Sequence, residues 1–282
     1  MRIYTINQIL RKIRTLYQQS TSFMRVVPDF IVVGTSFCGK TLLYNYIAQN
    51  RYVIENLREE TGFFLDTHDR GFDWYKSNFS SLIYKKILDK ISGKKHRIGE
   101  TVNLPGYFVP KRVSDVLSKP KIIMILRNPV ERAYARYLAE IRNGNEILSF
   151  ENSLEKEIEL IKTHEINIIH SKTPLKFRHL FLYRLDGIYI EYLKQWRKFF
   201  PQNDIFIVKT EDLFNNPVET VNQCLNFLEL PPISHLKNIN KNFEIDSPKI
   251  NQATQNNLMK FFQPYNKELY EFLEMDMGWE KL

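Results

Sequence analysis

Residues 28–50 read PDFIVVGTSFCGKTLLYNYIAQN, and this stretch decides the fold. Its first part, 28–34, is a β-branched run bounded by Pro28 and Gly34, which predicts a buried strand. Residues 40–50 predict a helix, and the joining loop matches the phosphate-binding pattern G-x-x-x-x-G-K-T. Strand, glycine loop and helix N-terminus together form a site for a bound phosphate. The candidate phosphate-binding residues are therefore Gly34, Thr35, Ser36, Phe37, Cys38, Gly39, Lys40 and Thr41.

Two further short apolar runs predict strands of the same sheet. Residues 121–126, KIIMIL, are followed by Arg127, and Pro129 suits the first turn of the next helix. Residues 204–213, DIFIVKTEDL, predict a third strand. Alternation of this kind predicts an α/β fold of three layers, with a central, mostly parallel sheet flanked by helices. The closing segment predicts one or two short helices broken at Pro264.

The chain of 282 residues has no internal repeat or low-complexity linker, which favours a single domain over residues 28–282. An amphipathic helix is predicted before it, within residues 1–27, because apolar side chains recur there at helical spacing with Arg11, Lys12 and Arg14 between them. This helix either packs on the domain or lies on a membrane surface. No apolar run reaches the roughly 20 residues that span a bilayer.

Charge and composition restrict the class of partner. Lys and Arg number 40 against 32 Asp and Glu, a surplus of +8 that favours anionic ligands. The positive charges are scattered rather than clustered, so a nucleic-acid partner is not expected. The two cysteines fit a reducing compartment, which predicts a cytoplasmic protein, and the N-terminal helix would be its point of contact if it associates with a membrane; the oligomeric state stays open. The six histidines show no metal-ligand spacing, and no metal is expected.

The strand ends argue against a nucleoside-triphosphate enzyme, which needs an acidic residue there to hold Mg²⁺. The predicted strands lead instead into Arg127 and Lys209, and Glu211 and Asp212 could serve only if the third strand extends. An arginine at a strand end favours a site that holds phosphate without metal. A P-loop nucleotide or small-molecule kinase is therefore disfavoured, and it is kept only as an alternative.

Several stretches resemble, in order, the P-loop sulfotransferases that use 3′-phosphoadenosine 5′-phosphosulfate, in particular the bacterial and heparan-sulfate type. After the glycine loop come EETGFF, GFDWY, IGETVNLPGY, KIIMILRNPVERAYARYL, TEDL and FFQPYNKELYEFLEMDMGW. The resemblance covers residues 28–282. It implies transfer of a sulfonate group from 3′-phosphoadenosine 5′-phosphosulfate to a hydroxyl, or an amine, of a carbohydrate or small molecule, without a metal.

The resemblance also implies roles for individual residues. Glu60 in EETGFF matches the general base of the family, and Arg127 matches the residue that anchors the 3′-phosphate. Lys241 lies where the family places a basic loop over the same phosphate. Glu100 matches a position that is either structural or close to the acceptor.

Two positions depart from the family pattern. The family loop usually reads Gly-x-x-Lys-x-Gly-Thr-Thr, so its catalytic lysine would fall on Phe37, while Lys40 stands three residues later. We therefore expect Lys40 to take over the contact with the 5′-phosphosulfate and to act in catalysis with Glu60. The family also pairs the strand-end arginine with a serine, which is Ala135 here, and loss of that donor costs about 1 kcal/mol. These departures leave a non-catalytic nucleotide- or glycan-binding relative as a second alternative.

Overall fold

The computed structural model describes residues 16–104, 106–163, 182–237 and 250–280. Within these residues, one five-stranded parallel sheet has the order β2-β3-β1-β4-β5. The strands are β1 (Phe30–Gly34), β2 (Val53–Ile54), β3 (Arg97–Asn103), β4 (Lys121–Leu126) and β5 (Ile205–Lys209). The helices of the described residues that exceed one turn are α1 (Lys40–Ile47), α2 (Phe72–Lys76), α3 (Leu82–Ser92), α4 (Val109–Val116), α5 (Pro129–Arg142), α6 (Phe150–Thr163), α7 (Tyr189–Arg197), α8 (Thr210–Asn215), α9 (Pro217–Phe227) and α10 (Gln252–Leu273). The predicted α/β fold is confirmed.

The central strands are buried on both faces, as expected for a parallel sheet covered by helices. All five residues of β1 are buried, and so are Ile122 to Leu126 of β4. In the register, Gly34 lies beside Asn103, and Val33 beside Met124. Because the strands run parallel, their carboxyl ends meet at one edge of the sheet. Ligands of open α/β sheets bind at that edge.

The three strands predicted from apolar runs are present as β1, β4 and β5. The third is shorter than predicted, because β5 ends at Lys209 and α8 begins at Thr210. Two strands were not predicted. β2 has only two residues, and β3 carries the polar residues of RIGETVN in its buried centre.

The predicted break at Pro264 is wrong. α10 continues through this proline from Gln252 to Leu273. A proline in a helix interior costs about 3 kcal/mol because it removes one backbone hydrogen bond and crowds the preceding turn. Leu258, Phe262 and Leu269 recur at helical spacing and are buried against the rest of the core. Burial of side chains of this size contributes about 1.5–3 kcal/mol each, which outweighs the cost of the proline.

The N-terminal helix predicted within residues 1–27 is described only in part. Residues 1–15 lie outside the described residues; residues 16–20 are helical, and Ser22–Met24 forms a 3₁₀ turn. After the turn, Arg25 forms an isolated antiparallel bridge with Ser81, next to the start of α3. Among the described helices, none has both the length and the apolar character that crossing a membrane requires.

Candidate active site

The glycine loop between β1 and α1 is shaped by two close contacts. A Cβ atom on Gly34 would lie 2.9 Å from Cγ2 of Ile125, so the loop can leave the sheet here only without a side chain. Gly39 has φ +81° at the N-cap of α1, a conformation that glycine adopts without strain. Phe37 also has a positive φ, 70°, which is unusual for a residue with a side chain. This conformation indicates a loop held rigidly by its surroundings.

Buried hydroxyl and thiol groups hold the loop in place on its core side. Thr210 Oγ1 donates to the Cys38 carbonyl at 2.6 Å, and also contacts the Leu126 carbonyl at 3.0 Å. Thr35 Oγ1 lies 3.0 Å from Cys38 Sγ, and both residues are buried. Cys38 and Thr35 therefore face the core, while Ser36 is exposed. The other end of the loop sequence, Thr41, is exposed on the first turn of α1.

Lys40 and Glu60, the two residues predicted to act together, are in direct contact. Lys40 Nζ lies 3.0 Å from Glu60 Oε2 and donates to Asn103 Oδ1 at 2.8 Å. Asn103 closes the triangle, because its Nδ2 donates to Glu60 Oε1 at 2.6 Å. Thr101 Oγ1 lies 3.4 Å from the same carboxylate. The first residue of α1, the chain after β2 and the end of β3 thus meet in one hydrogen-bonded network.

The network is asymmetric in its exposure to water. Lys40 is 7% exposed, whereas about a third of the Glu60 side chain, 34%, remains exposed. Burial lowers the pKa of Lys40, and the neighbouring Glu60 carboxylate opposes that shift. A buried ammonium loses hydration and gains most from any anion placed beside it. Lys40 is therefore suited to hold a phosphate or sulfate oxygen, while Glu60 stays accessible to a second molecule.

A second polar cluster lies beneath the Glu60 segment. Glu100, on β3, is completely buried; Thr61 Oγ1 donates to its Oε2 at 2.9 Å, and the Tyr75 hydroxyl donates to its Oε1. Thr61 Oγ1 also accepts the backbone N–H of Phe63 at 3.2 Å. Glu100 therefore anchors the residue that follows Glu60, and burial raises the pKa of its carboxyl group to about 7. Of the two roles left open from the sequence, the contacts support a structural one.

The raised pKa of Glu100 predicts that stability falls as the pH rises. Unfolded glutamate ionises near pH 4.3. Between that pH and about 7, the folded protein keeps a proton that the unfolded chain has lost, so the free energy of unfolding decreases across this window by about 4 kcal/mol. We expect Glu100→Gln to remove this part of the pH dependence. Urea unfolding of both proteins between about pH 5 and pH 8 checks it, and curves that run parallel would contradict the prediction.

Arg127 stands directly after β4 and reaches the glycine loop. Its Nη1 donates to the Phe37 carbonyl at 3.2 Å, and its Nε lies 3.5 Å from Glu131 Oε2. The Tyr189 hydroxyl donates to the Arg127 carbonyl at 2.8 Å, which fixes the backbone. The structure therefore places Arg127 beside the loop, with 21% of its side chain exposed.

The serine missing at Ala135 is not replaced by the adjacent arginine. Arg136 Nη1 forms an ion pair with Asp186 Oδ2 at 2.5 Å, and its Nε lies 3.9 Å from Glu140 Oε1. Arg136 therefore pairs with carboxylates of α5 and of the turn before α7. Arg127 therefore gains no neighbouring donor from this position.

The acidic residues after β5 do not stand at a strand end. Glu211 and Asp212 lie in α8, and Glu211 Oε1 accepts the backbone N–H of Asn128 at 2.7 Å. Glu211 thus serves the turn between β4 and α5. In the described ranges, no group of three or more His, Cys, Asp and Glu side chains forms a metal-ligand cluster.

Lys241, predicted to cover the 3′-phosphate, lies outside the described residues. The described chain that leads toward it is hydrogen-bonded to Gln49, just after the C-terminal end of α1. Lys237 N donates to Gln49 Oε1 at 2.7 Å, and Gln49 Nε2 donates to the Lys237 carbonyl at 3.2 Å.

A cleft of about 860 Å³ opens between α1 and residues 232–237. Tyr44 and Gln49 line it from the side of α1, and Glu55 and Glu59 from the segment that leads to Glu60. Two carboxylates therefore rim the cleft, and one of them, Glu59, directly precedes Glu60 in the chain.

Asn103 and Thr101 were not predicted as site residues. Both lie in β3, which carries too many polar residues to be predicted from apolar periodicity. The signal that would have found them is topological. The end of β3 pairs with the end of β1 in the register, and this pairing brings Asn103 beside the glycine loop.

Comparison with known proteins identifies the family. A sulfotransferase-domain model matches residues 27–275. The chain is 24% identical to the membrane-associated sulfotransferase kil1 of Dictyostelium discoideum, over 90% of this chain and 67% of that protein. Identity is also 24% with heparan sulfate glucosamine 3-O-sulfotransferase 6 of Mus musculus, over 91% of this chain and 75% of the relative. The crystal structure of a sulfotransferase from Alicyclobacillus acidocaldarius shares the fold, with a TM-score of 0.68, 24% identity and coverage of 91% of this chain and 100% of that one. With its glycine loop, parallel sheet and domain match, this chain belongs to the sulfotransferase family.

Proposed function

We propose that this chain transfers a sulfonate group from 3′-phosphoadenosine 5′-phosphosulfate to a hydroxyl of a carbohydrate or small molecule. Glu60 would act as general base, and Lys40 would bind the 5′-phosphosulfate of the donor. The reaction class and the donor follow from membership of the family. The assignment of residues is carried by one observation, the contact of Lys40 with Glu60 and Asn103 beside the glycine loop.

The residues present fit a donor with two phosphate groups. The backbone amides of the loop open at the N-terminus of α1, where the helix dipole favours an anion. Lys40 is the first residue of that helix, and its buried ammonium group pairs with the Glu60 carboxylate. Arg127 donates to the Phe37 carbonyl of the loop, and its guanidinium is proposed to bind the second phosphate. Lys241 is proposed to add a cation to the same phosphate.

The donor supplies an activated sulfonate whose bond to the 5′-phosphate oxygen breaks during transfer. Glu60 takes the proton of the acceptor hydroxyl while the acceptor oxygen forms its new bond to sulfur. Lys40 exchanges its contact with Glu60 for the phosphate oxygen, where it stabilises the charge left by the departing sulfonate. Asn103 stays hydrogen-bonded to Glu60 and keeps the carboxylate oriented. No metal is required by this arrangement.

The acceptor is proposed to enter through the cleft beside Glu59. Glu59 lines this cleft and directly precedes Glu60, whose side chain is 34% exposed, and this supports an approach of the acceptor hydroxyl to the base from this side. Glu55 and Glu59 at the rim repel highly anionic chains. The charge of the rim therefore favours an acceptor with few acidic groups over a densely sulfated glycan.

Radiolabelled sulfonate transfer tests this proposal. The full chain is incubated with ³⁵S-labelled donor and two acceptor probes, neutral N-acetylglucosamine oligomers and acidic heparosan oligomers. We expect label in an oligosaccharide product without added divalent metal, with the neutral oligomers preferred. Phosphate transfer from ATP·Mg in place of sulfonate transfer would favour the kinase alternative. Donor binding without transfer to any acceptor would favour a non-catalytic relative.

Arg127 is expected to bind the 3′-phosphate, because it directly follows β4 and reaches the glycine loop at the Phe37 carbonyl. Arg127→Met should lower the affinity for 3′-phosphoadenosine 5′-phosphate by about 10–100-fold, the cost of one or two charge-assisted hydrogen bonds. Affinity for adenosine 5′-phosphate, which lacks the 3′-phosphate, should change little. Calorimetry of both nucleotides measures the difference, with Arg142→Met on the exposed end of α5 as the control. Equal losses for both nucleotides would contradict the assignment.

A further inference from the structure

Helix α3 presents an apolar stripe to solvent. Ile83, Ile87 and Ile91 recur every four residues, which places them along one side of the helix. They are 54%, 50% and 79% exposed. An amphipathic helix of a globular protein normally turns its apolar side to the core, but no residue of α3 is buried. The stripe is therefore available to something outside the described fold.

Exposed lysines flank the stripe. Four of them follow one another along the helix and just beyond it: Lys86, Lys90, Lys94 and Lys95. The charged residues on the inner side of α3 are engaged elsewhere. Lys85 Nζ pairs with Asp29 Oδ2 at 2.9 Å, and Asp89 Oδ1 contacts His96 Nδ1 at 2.9 Å. The outer face of α3 thus combines aliphatic side chains with an unbalanced positive charge.

The turn that precedes the sheet extends this surface near the start of α3. Val26 N donates to the Ser80 carbonyl at 3.1 Å, and Arg25 bridges to Ser81, whose hydroxyl caps α3. Phe23 and Met24, immediately before the bridge, are exposed by 75% and 38%. Two separate segments therefore bring exposed apolar side chains to the same end of the molecule.

We propose that the α3 surface, defined as Ile83, Ile87 and Ile91 with Lys86 and Lys90, binds an anionic phospholipid membrane. The positive charge of this surface favours a membrane over a second copy of the chain or residues 1–15. A second copy of the chain would oppose lysines to lysines, and residues 1–15 carry four basic and no acidic side chains, so they would be repelled as well. Anionic headgroups complement the lysines, while the isoleucines enter the boundary between headgroups and acyl chains.

The position of α3 leaves the proposed active site free. The Lys85–Asp29 ion pair holds α3 at the amino end of β1, because Asp29 directly precedes that strand. The glycine loop and the Glu60 network lie at the opposite, carboxyl edge of the sheet. A membrane bound through α3 therefore does not cover the donor and acceptor sites. This inference does not depend on the reaction proposed above.

Vesicle co-sedimentation of the full chain tests the proposal. One set of vesicles contains phosphatidylcholine alone, and the other phosphatidylcholine mixed with phosphatidylserine. We expect partition onto the mixed vesicles, at least about tenfold stronger than onto phosphatidylcholine, and weakened by salt. Ile83→Ser, Ile87→Ser and Ile91→Ser combined should weaken binding by about tenfold or more. Lys86→Glu with Lys90→Glu should have an effect of similar size, and this second variant keeps every isoleucine.

Three exposed isoleucines elsewhere give a matched control: Ile141, Ile147 and Ile158. Their combined replacement by serine should leave vesicle binding unchanged. Light scattering of each variant reports on association between copies. Three results would overturn the proposal: no preference for the phosphatidylserine vesicles, binding unchanged in both α3 variants, or a dimer of the parent chain that the isoleucine variant dissociates. In the last case the stripe would be a contact between copies.

Discussion

Glu60→Gln is expected to lower kcat for sulfonate transfer by about 10²–10⁴-fold, the range for removal of a general base. Glutamine keeps the size of the side chain and one oxygen for Lys40 or Asn103, but it cannot accept the acceptor proton. The affinity for 3′-phosphoadenosine 5′-phosphate should change little, since Lys40 and the loop are retained. Steady-state transfer of labelled sulfonate gives kcat, and calorimetry gives the nucleotide affinity.

Glu59→Gln is the matched control for this substitution. Glu59 carries the same charge in the same segment, but its contact with β3 is made by its backbone, whose carbonyl accepts the N–H of Thr101 at 2.8 Å. With the neutral N-acetylglucosamine oligomers, on which the rim charge acts least, its side-chain substitution should leave kcat within about threefold, because no proton transfer passes through it. A Glu60→Gln protein with an unchanged kcat would show that another group serves as base.

Lys40→Met is expected to impair both donor binding and turnover. Loss of a buried, charge-assisted contact to phosphate should weaken binding of 3′-phosphoadenosine 5′-phosphate by about 10–100-fold. Loss of the charge beside the leaving phosphate oxygen should lower kcat by about 10²–10³-fold, the size found for removing one donor that stabilises developing charge. Methionine fills the space of the buried lysine stem, so the fold should persist.

Lys111→Met removes an exposed lysine that pairs with Asp115 on α4, and it should change neither quantity. A sharper test returns the loop to the family pattern by combining Phe37→Lys with Lys40→Thr. If the lysine has moved within the loop, this double variant should recover at least about tenfold of the turnover lost by Lys40→Thr alone. Normal turnover in Lys40→Met would contradict a role for Lys40.

The parts of the fold that could be predicted are those where local pattern and tertiary structure agree. The β1–loop–α1 unit and β4 are apolar runs with a glycine or proline at the boundary, and both are buried as expected. β3 was missed because its buried positions include Glu100 and Thr101. Such residues are tolerated in a core strand only through hydrogen bonds from Thr61, Tyr75 and other distant groups, which no local pattern reveals.

The sequence selected three residues of the candidate site, but it revealed neither Asn103 and Thr101 nor the contacts among them. The loop pattern and the resemblance selected Lys40, Glu60 and Arg127 separately. Their arrangement depends on strand order, which places β3 beside β1 and carries Asn103 between the lysine and the carboxylate. The helix break expected at Pro264 failed for a related reason, since the buried face of α10 overrides the local preference of proline.

We propose above all that the glycine loop with Lys40 holds the 5′-phosphate of the sulfonate donor. Titration calorimetry of 3′-phosphoadenosine 5′-phosphate into the full chain and into Lys40→Met tests it without knowledge of the acceptor, with ATP·Mg as the competing ligand. We expect micromolar or tighter binding to the full chain, a loss of about 10–100-fold in Lys40→Met, and much weaker binding of ATP·Mg. Tight binding of ATP·Mg but not of the bisphosphate, or equal binding of the bisphosphate by both proteins, would contradict it.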